Sequence, residues 1–152
     1  MRVAVCDTSS LIKLNKGNAL WLLGKIFDRV YLPVGVQEEC LDKSIKQAIK
    51  APFFEVKKVK NILLLGMGKG EREAISLALE LNVPRVVSED ERAVGKAHKL
   101  GLIPLNTERI LVSAKEKNLI DSVKFFMDKM REAGEGIEDD LYFTTLRLAN
   151  EI

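Results

Sequence analysis

The sequence predicts an α/β fold, a mostly parallel central sheet with helices layered on both faces. Three observations predict it. Strand-like and helix-like apolar patterns alternate along the chain, the loops between them are short, and the strand-like run VAVC is continuously apolar. Continuous rather than alternating apolarity is the mark of strands buried on both sides, which parallel sheets provide. With 152 residues, the chain suits a single domain spanning 1–152 with room for a proper core.

Each element follows from local pattern. Residues Arg2–Cys6 read as a strand running into Asp7. Thr8–Lys16 carries Leu11, Ile12 and Leu14 at helical spacing and stops at Gly17. Asn18 is placed to cap a second helix that runs through Ile26. Arg29–Leu32 is a short strand closed by Pro33, Val34–Lys43 a helix and Ser44–Lys50 another. Phe53–Val59 is extended, and its dense lysines suggest a sheet edge. Ile62–Leu65 is apolar and ends in the glycine-rich turn GMGKG. Gly70–Asn82 is the clearest helix. Arg85–Ser88 is a strand, Asp90–Leu100 a helix closed by Gly101, and Ile103–Leu105 a short strand broken by a proline. Three helices, Thr107–Lys117, Asp121–Ala133 and Ile137–Ala149, close the chain; Val123, Phe126, Met127 and Met130 form the core-facing stripe of the middle one.

Composition narrows the function. No apolar run approaches the ~20 residues that cross a bilayer, and the N-terminal apolar stretch ends too soon for a signal peptide, so a cytoplasmic protein without a membrane partner is expected. Cys6 and Cys40 are too few for a disulfide framework or a zinc site and read as small buried side chains. His98, the sole histidine, lies between lysines on a helix and reads as exposed; its solitude excludes a Ser-His-Asp triad, a zinc hydrolase and a histidine-based nuclease. The net charge of +2 is only a weak pointer to a polyanionic partner.

The acids point further. Ligands of parallel α/β sheets sit beyond the carboxyl ends of the strands, and Asp7 ends one strand while Glu89 and Asp90 follow another. At roughly 100° per residue, Glu71 falls on the apolar face of its helix with Ala74, Ile75 and Ala78, whereas Glu73 points nearly opposite and reads as solvated; Glu71 also suits the helix dipole. Periodicity does not separate Glu38 from Glu39, although Glu39 is slightly better placed to face inward. Like charges meeting in one crevice require raised pKa values or a cation. An all-oxygen set suits Mg²⁺ or a similar hard ion.

These segments, in this order, resemble the PIN domain, a metal-dependent ribonuclease family, and especially its VapC-type toxins and close relatives. VAVCDTSSLIKL is similar to the opening strand with its D-T-S segment, and LPVGVQEEC to a P-x-x-V-x-x-E pattern that selects Glu39. GKGEREAISLALE is similar to a G-x-G-E-x-x-A-I helix that selects Glu71. VVSEDERAVGKAHKLGL and LNTERILVSAKEKNLI are similar to the later acidic strand tip and the G-T segment. Three positions depart from the pattern: Glu89 stands where aspartate is usual, Val94 where arginine is common, and Asn106 where glycine precedes Thr107.

The resemblance implies a three-layer fold and hydrolysis of RNA phosphodiesters. It implies that Asp7, Glu39, Glu71 and Asp90 hold one or two Mg²⁺ or Mn²⁺ ions, with Glu89 assisting. Ser9 would orient Asp7 or, equally, cap the following helix, and Thr107 would order a water or a carboxylate. It also implies a protein antitoxin and a homodimer, with Ala19–Leu23 as a candidate surface against a default of core burial. Lys13, Lys69, Arg72, Arg92 and Lys96 are near the acids in sequence and could meet RNA, each taken singly reading as a solvated charge. Trp21, Phe53 and Phe54 read as core rather than base-stacking residues. Rival readings are a housekeeping RNA-processing nuclease of the same fold, an inactive PIN-like module, and a receiver-like signalling domain. The last needs a phospho-accepting aspartate ending a middle strand and a lysine ending a late one, which Pro33 and Asn106 do not supply.

Overall fold

Five strands, β1 (Val3–Cys6), β2 (Arg29–Pro33), β3 (Phe54–Lys57), β4 (Arg85–Val87) and β5 (Ile103–Leu105), form one all-parallel sheet in the order β3-β2-β1-β4-β5 among the described residues. The computed structural model describes residues 2–63 and 66–152. β1 lies at the centre, in register with β2 from Val3 opposite Arg29 and with β4 from Ala4 opposite Arg85. Ala4, Val5 and Cys6 are wholly buried, which accounts for the uninterrupted apolar run. Their side chains alternate between faces. Ala4 and Cys6 join the larger core with Val30 and Leu32, while Val5 joins Val86 in the smaller one.

Helices cover both faces. α1 (Thr8–Lys16), α2 (Trp21–Ile26), α7 (Thr107–Glu116), α8 (Val123–Glu132) and α9 (Asp139–Leu148) supply the larger core through Leu11, Leu14, Leu22, Leu23, Leu111, Met127, Met130 and Leu146. α5 (Lys69–Leu81) and α6 (Glu91–Lys99) cover the other face through Ala74, Ile75, Leu77, Ala78, Ala93 and Ala97. The short α3 (Val34–Glu39) and α4 (Lys43–Ala48) lie between β2 and β3. The chain builds outward from β1 to β2 and β3, then returns through α5 to place β4 on the other side of β1. The carboxyl ends of β1 and β4 therefore flank the topological switch point, where open parallel sheets bind their ligands.

Several boundaries differ from those read in the sequence. Asn18 does not cap α2; it adopts φ +53° in the turn after α1, and α2 begins at Trp21. The helix expected over 34–43 ends at Cys40, and Asp42 caps a fresh start by accepting from the amides of Ser44 and Ile45. The extended segment at 53–59 contracts to β3, which pairs only with β2 and is the expected edge. β5 forms the other edge, where Pro104 costs no needed ladder bond. Ile62 and Leu63 are exposed, while Leu64 and Leu65 of the apolar run at 62–65 lie outside the described residues. Ala19, Leu20, Leu22 and Leu23 are buried in this chain's own core, so that stretch is not a free dimer surface; Trp21 alone turns outward, 45% exposed. Phe54 is buried, Phe53 half-buried, His98 exposed, and both cysteines are buried and free. No described helix is long and apolar enough to cross a membrane.

The C-terminal tail is tied to the body chiefly through Glu151, with Lys115 Nζ also donating to the Ala149 carbonyl at 2.7 Å. Glu151 accepts from the amides of Val123 (2.7 Å) and Lys124 (3.0 Å) at the start of α8 and from Lys115 Nζ (3.0 Å). Glu151→Ala strands two helix-start donors, and we expect a loss of about 1–2 kcal/mol in urea denaturation.

Candidate active site

The site is assembled where β1 and β4 end and α1 begins. The Asp7 amide extends the ladder by donating to the Val87 carbonyl at 3.1 Å. Its carboxylate then turns to serve α1: Oδ1 accepts from the Ser10 amide (3.0 Å) and the Ser9 hydroxyl (3.1 Å), and Oδ2 from the Ser88 hydroxyl (2.6 Å). Asp7 itself is thus the helix cap, and the Ser9 hydroxyl lies on the Asp7 carboxylate. Asp7 is wholly buried, and among the described residues no lysine or arginine pairs with it. Burial pushes its carboxyl from 3.8 up to about 6; the Ser88 and Ser10 hydrogen bonds oppose the rise and the Glu89 charge adds to it.

Beside Asp7 lies a second acidic knot. Glu89 accepts from the Ser10 hydroxyl (2.7 Å), Lys13 Nζ (3.2 Å) and, through both oxygens, the Thr107 amide (3.2 and 3.0 Å). Lys13 Nζ also donates to Glu108 Oε1 at 2.8 Å. Lys13 is only 5% exposed and Glu108 only 2%, so the solvated surface charge expected at Lys13 is instead an interior ion pair. Packing of α7 against α1 gives the reason: Lys13 lies one turn after the buried Ser10, and its stem packs while its head finds acids. Burial works against the Lys13 charge, but Glu89 and Glu108 together hold its pKa above the ordinary lysine value. Glu108 is raised, chiefly by burial, against the pull of Lys13. Among the described residues, Glu108 Oε2 and the wholly buried Thr107 Oγ1 have no hydrogen-bond partner.

The other sequence-predicted acids ring this centre. Glu39, exposed at the end of α3, accepts from the Thr8 hydroxyl at 2.8 Å, one residue from Asp7. It also crowds the start of α5, where a Cβ on Gly70 would collide with Glu39 Oε1 and stand 2.6 Å from Thr8 Oγ1. Glu71, the next residue, accepts from the Gly68 amide at 3.1 Å in a capping arrangement and is half-buried. Asp90 caps α6 through the amides of Arg92 (2.8 Å) and Ala93 (3.1 Å). Among the described residues, no three acidic, cysteine or histidine side chains stand close enough together to hold a metal ion in this arrangement. The structure ties Asp7 to Glu89 through Ser10 and brings Glu39 beside Thr8, while Glu71 and Asp90 are engaged at their own helix starts.

Glu73 contradicts the helical wheel. It is 5% exposed and accepts from the Gly35 amide at 3.2 Å. A wheel assumes one buried face, but α5 is buried continuously from Glu73 to Ala78 because both the sheet and α3 cover it. Gly35 leaves the room that the Glu73 carboxylate fills. The residues missed in the sequence are Ser10, Ser88 and Glu108, while Lys13 is named there as a solvated charge that could meet RNA and not as the partner of these acids. Ser88 could have been found by the rule that found Asp7, since it stands between the tip of β4 and the start of α6, and Glu108 lies in the first turn of the helix that follows β5; nothing local marks Lys13.

Gly70 offers a separate test of Glu39. Gly70→Ala should favour the helix slightly yet displace Glu39 from Thr8. We expect unchanged or higher thermal stability with cleavage reduced about 10- to 100-fold, measured side by side on the same preparation.

Comparison with curated proteins and with solved structures returns no match. A family model described as a PIN domain matches residues 3–151. That match spans every strand and helix above, including the Asp7 tip and the segments bearing Glu39, Glu71 and Asp90, and on it the chain belongs to the PIN-domain family.

Proposed function

We propose that this protein is an endoribonuclease dependent on Mg²⁺ or Mn²⁺ and acts as the toxin of a toxin–antitoxin pair. PIN domains as a class are nucleases that use divalent metals. The observation that carries the reading is Asp7: a wholly buried carboxylate at the sheet's switch point, hydrogen-bonded on both oxygens, with no protein cation against it among the described residues. A carboxylate so placed is costly unless a cation joins it.

The residues suit a hard divalent ion. Every candidate donor is an oxygen, and Mg²⁺ takes one or two carboxylates and completes its shell with water. The unpartnered Thr107 hydroxyl is a ready partner for such a water. Asp7 would hold the ion, with Glu39, Glu71 and Asp90 contributing directly or through water. A bound divalent cation supplies activation of the attacking water and neutralisation of charge on the phosphate. The chain's own work is orientation. Ser9, Ser10 and Ser88 fix both oxygens of Asp7, and Thr8 steadies Glu39.

For RNA, the open groove lined by Gly66, Met67, Arg92, Gly95, Lys96 and Lys99 gathers three cations along α6, whose first turn Asp90 caps. Such a stripe suits a phosphate backbone. Lys13 is withdrawn from that role by its burial. A homodimer remains part of the proposal, without the Ala19–Leu23 surface.

The test is cleavage of mixed RNAs by wild type and Asp90→Asn, with Mn²⁺ and with chelator. Expected is cutting by wild type with Mn²⁺ and a loss of about 10³-fold with chelator; equal cutting in all arms contradicts the reading. The toxin role predicts growth arrest on induction of wild type but not of the variant, relieved by a protein encoded beside it.

A further inference from the structure

We infer that Lys13 is a built-in cation occupying what would otherwise be a second metal position, so that the active site takes one divalent ion rather than two. The inference rests on the metal-dependent reading above and specifies its cation inventory.

Two-metal phosphodiesterases place acids on either side of a shared carboxylate to neutralise a pair of dications. Here the acids on one side are already committed. Lys13 Nζ stands 3.2 Å from Glu89 Oε1 and 2.8 Å from Glu108 Oε1. Glu89 is further occupied on both oxygens, by the Ser10 hydroxyl and twice by the Thr107 amide. Its carboxylate therefore acts as a brace joining α1, the tip of β4 and α7. The ammonium between the two glutamates is itself nearly excluded from solvent, so a water-borne cation cannot compete for the position without displacing a covalently attached one. Asp7 is different: its three donors are hydroxyls and an amide, all uncharged, and its charge is left for an ion to meet. The division of labour is a fixed charge on the Glu89–Glu108 side and an exchangeable one on the Asp7 side.

The arrangement has a reason in energetics. Two glutamates and one ammonium held together still carry a net negative charge, and among the described residues Glu108 keeps one oxygen without a partner. Removing the ammonium leaves two close carboxylates with an unmet demand for positive charge, the condition that recruits a divalent ion.

Mn²⁺ titration by calorimetry, with binding counted independently by electron paramagnetic resonance, tests this on the full chain. Wild type should bind one Mn²⁺ per chain. Lys13→Ala should bind two, and its melting temperature should rise more on adding Mn²⁺ than that of wild type. Glu108→Gln, which keeps the Lys13–Glu89 pair, should still bind one. Two ions on wild type overturn the inference, as does Lys13→Ala that binds no additional ion or stays unfolded in saturating Mn²⁺. Wild type that binds no Mn²⁺ defeats the metal-dependent reading along with it. Wild type that binds one ion but cuts no RNA defeats the nuclease reading and leaves the cation assignment standing.

Discussion

Asp7→Asn raises the melting temperature of the cation-free protein at pH 7.5 while reducing RNA hydrolysis by about 10³-fold or more. The stabilisation follows from the direction of the Asp7 shift. The carboxyl titrates near 3.8 when the chain is unfolded and at about 6 when it is folded. A folded-state value raised in this way gives stability that is fully present below pH 3.8 and lost as pH climbs through 6. Across that window roughly 3 kcal/mol is lost, or about 6–12 °C for a chain of this size. Asparagine has no charge to lose. Its carbonyl still accepts from the Ser10 amide, its amide donates to the Ser88 hydroxyl, and it caps a helix as well as aspartate does. Denaturation at pH 4 and 7.5 without metal should therefore show wild type falling and the variant level. Added Mn²⁺ should close the gap by stabilising wild type alone. A strong loss of stability in the variant would mean that Asp7 serves the fold rather than the reaction.

Lys13→Met should be the most damaging single change in the site, costing about 3–5 kcal/mol in metal-free buffer. The cause is the charge left behind. Glu89 and Glu108 would be left inside the protein with no counter-charge, and Glu108 would lose the Lys13 donor on Oε1 while Oε2 already has none among the described residues. The double variant Lys13→Met/Glu108→Met removes both poorly compensated charges and keeps Glu89 braced by Ser10 and Thr107. Its stability should return to within about 1 kcal/mol of wild type, since apolar replacement of a buried pair is often neutral. Urea midpoints of the three proteins decide this, and a single variant no less stable than wild type would show that the pair contributes nothing.

The architecture was legible because buried parallel strands leave a strong mark: VAVC reads as continuously apolar, and its Ala4, Val5 and Cys6 prove to be wholly buried. The Asp7 position was legible from the same physics, a carboxylate at the carboxyl end of such a strand. What the sequence hid was any burial that depends on two neighbours at once. Glu73 lies on the wrong side of a one-faced wheel, yet α3 passes there and Gly35 makes space for its carboxylate. Lys13 looks like one more surface lysine because its partners, Glu89 and Glu108, are 76 and 95 residues away. Caps were misread for a related reason. Asn18 has the side chain of a cap, but left-handed backbone also favours asparagine, and the turn after α1 needed that conformation. Glu39 was chosen over Glu38 by motif resemblance and Glu71 by both the helical wheel and the motif, and the structure supplies their neighbours, Thr8 and Gly68.

The central claim is that Asp7 exists to meet a divalent cation, and crystals of the wild-type chain soaked in Mn²⁺ test it most directly. The account predicts anomalous density for one manganese in ligating contact with the Asp7 carboxylate and none between Glu89 and Glu108. A well-ordered site at saturating Mn²⁺ with no manganese at Asp7 would contradict it.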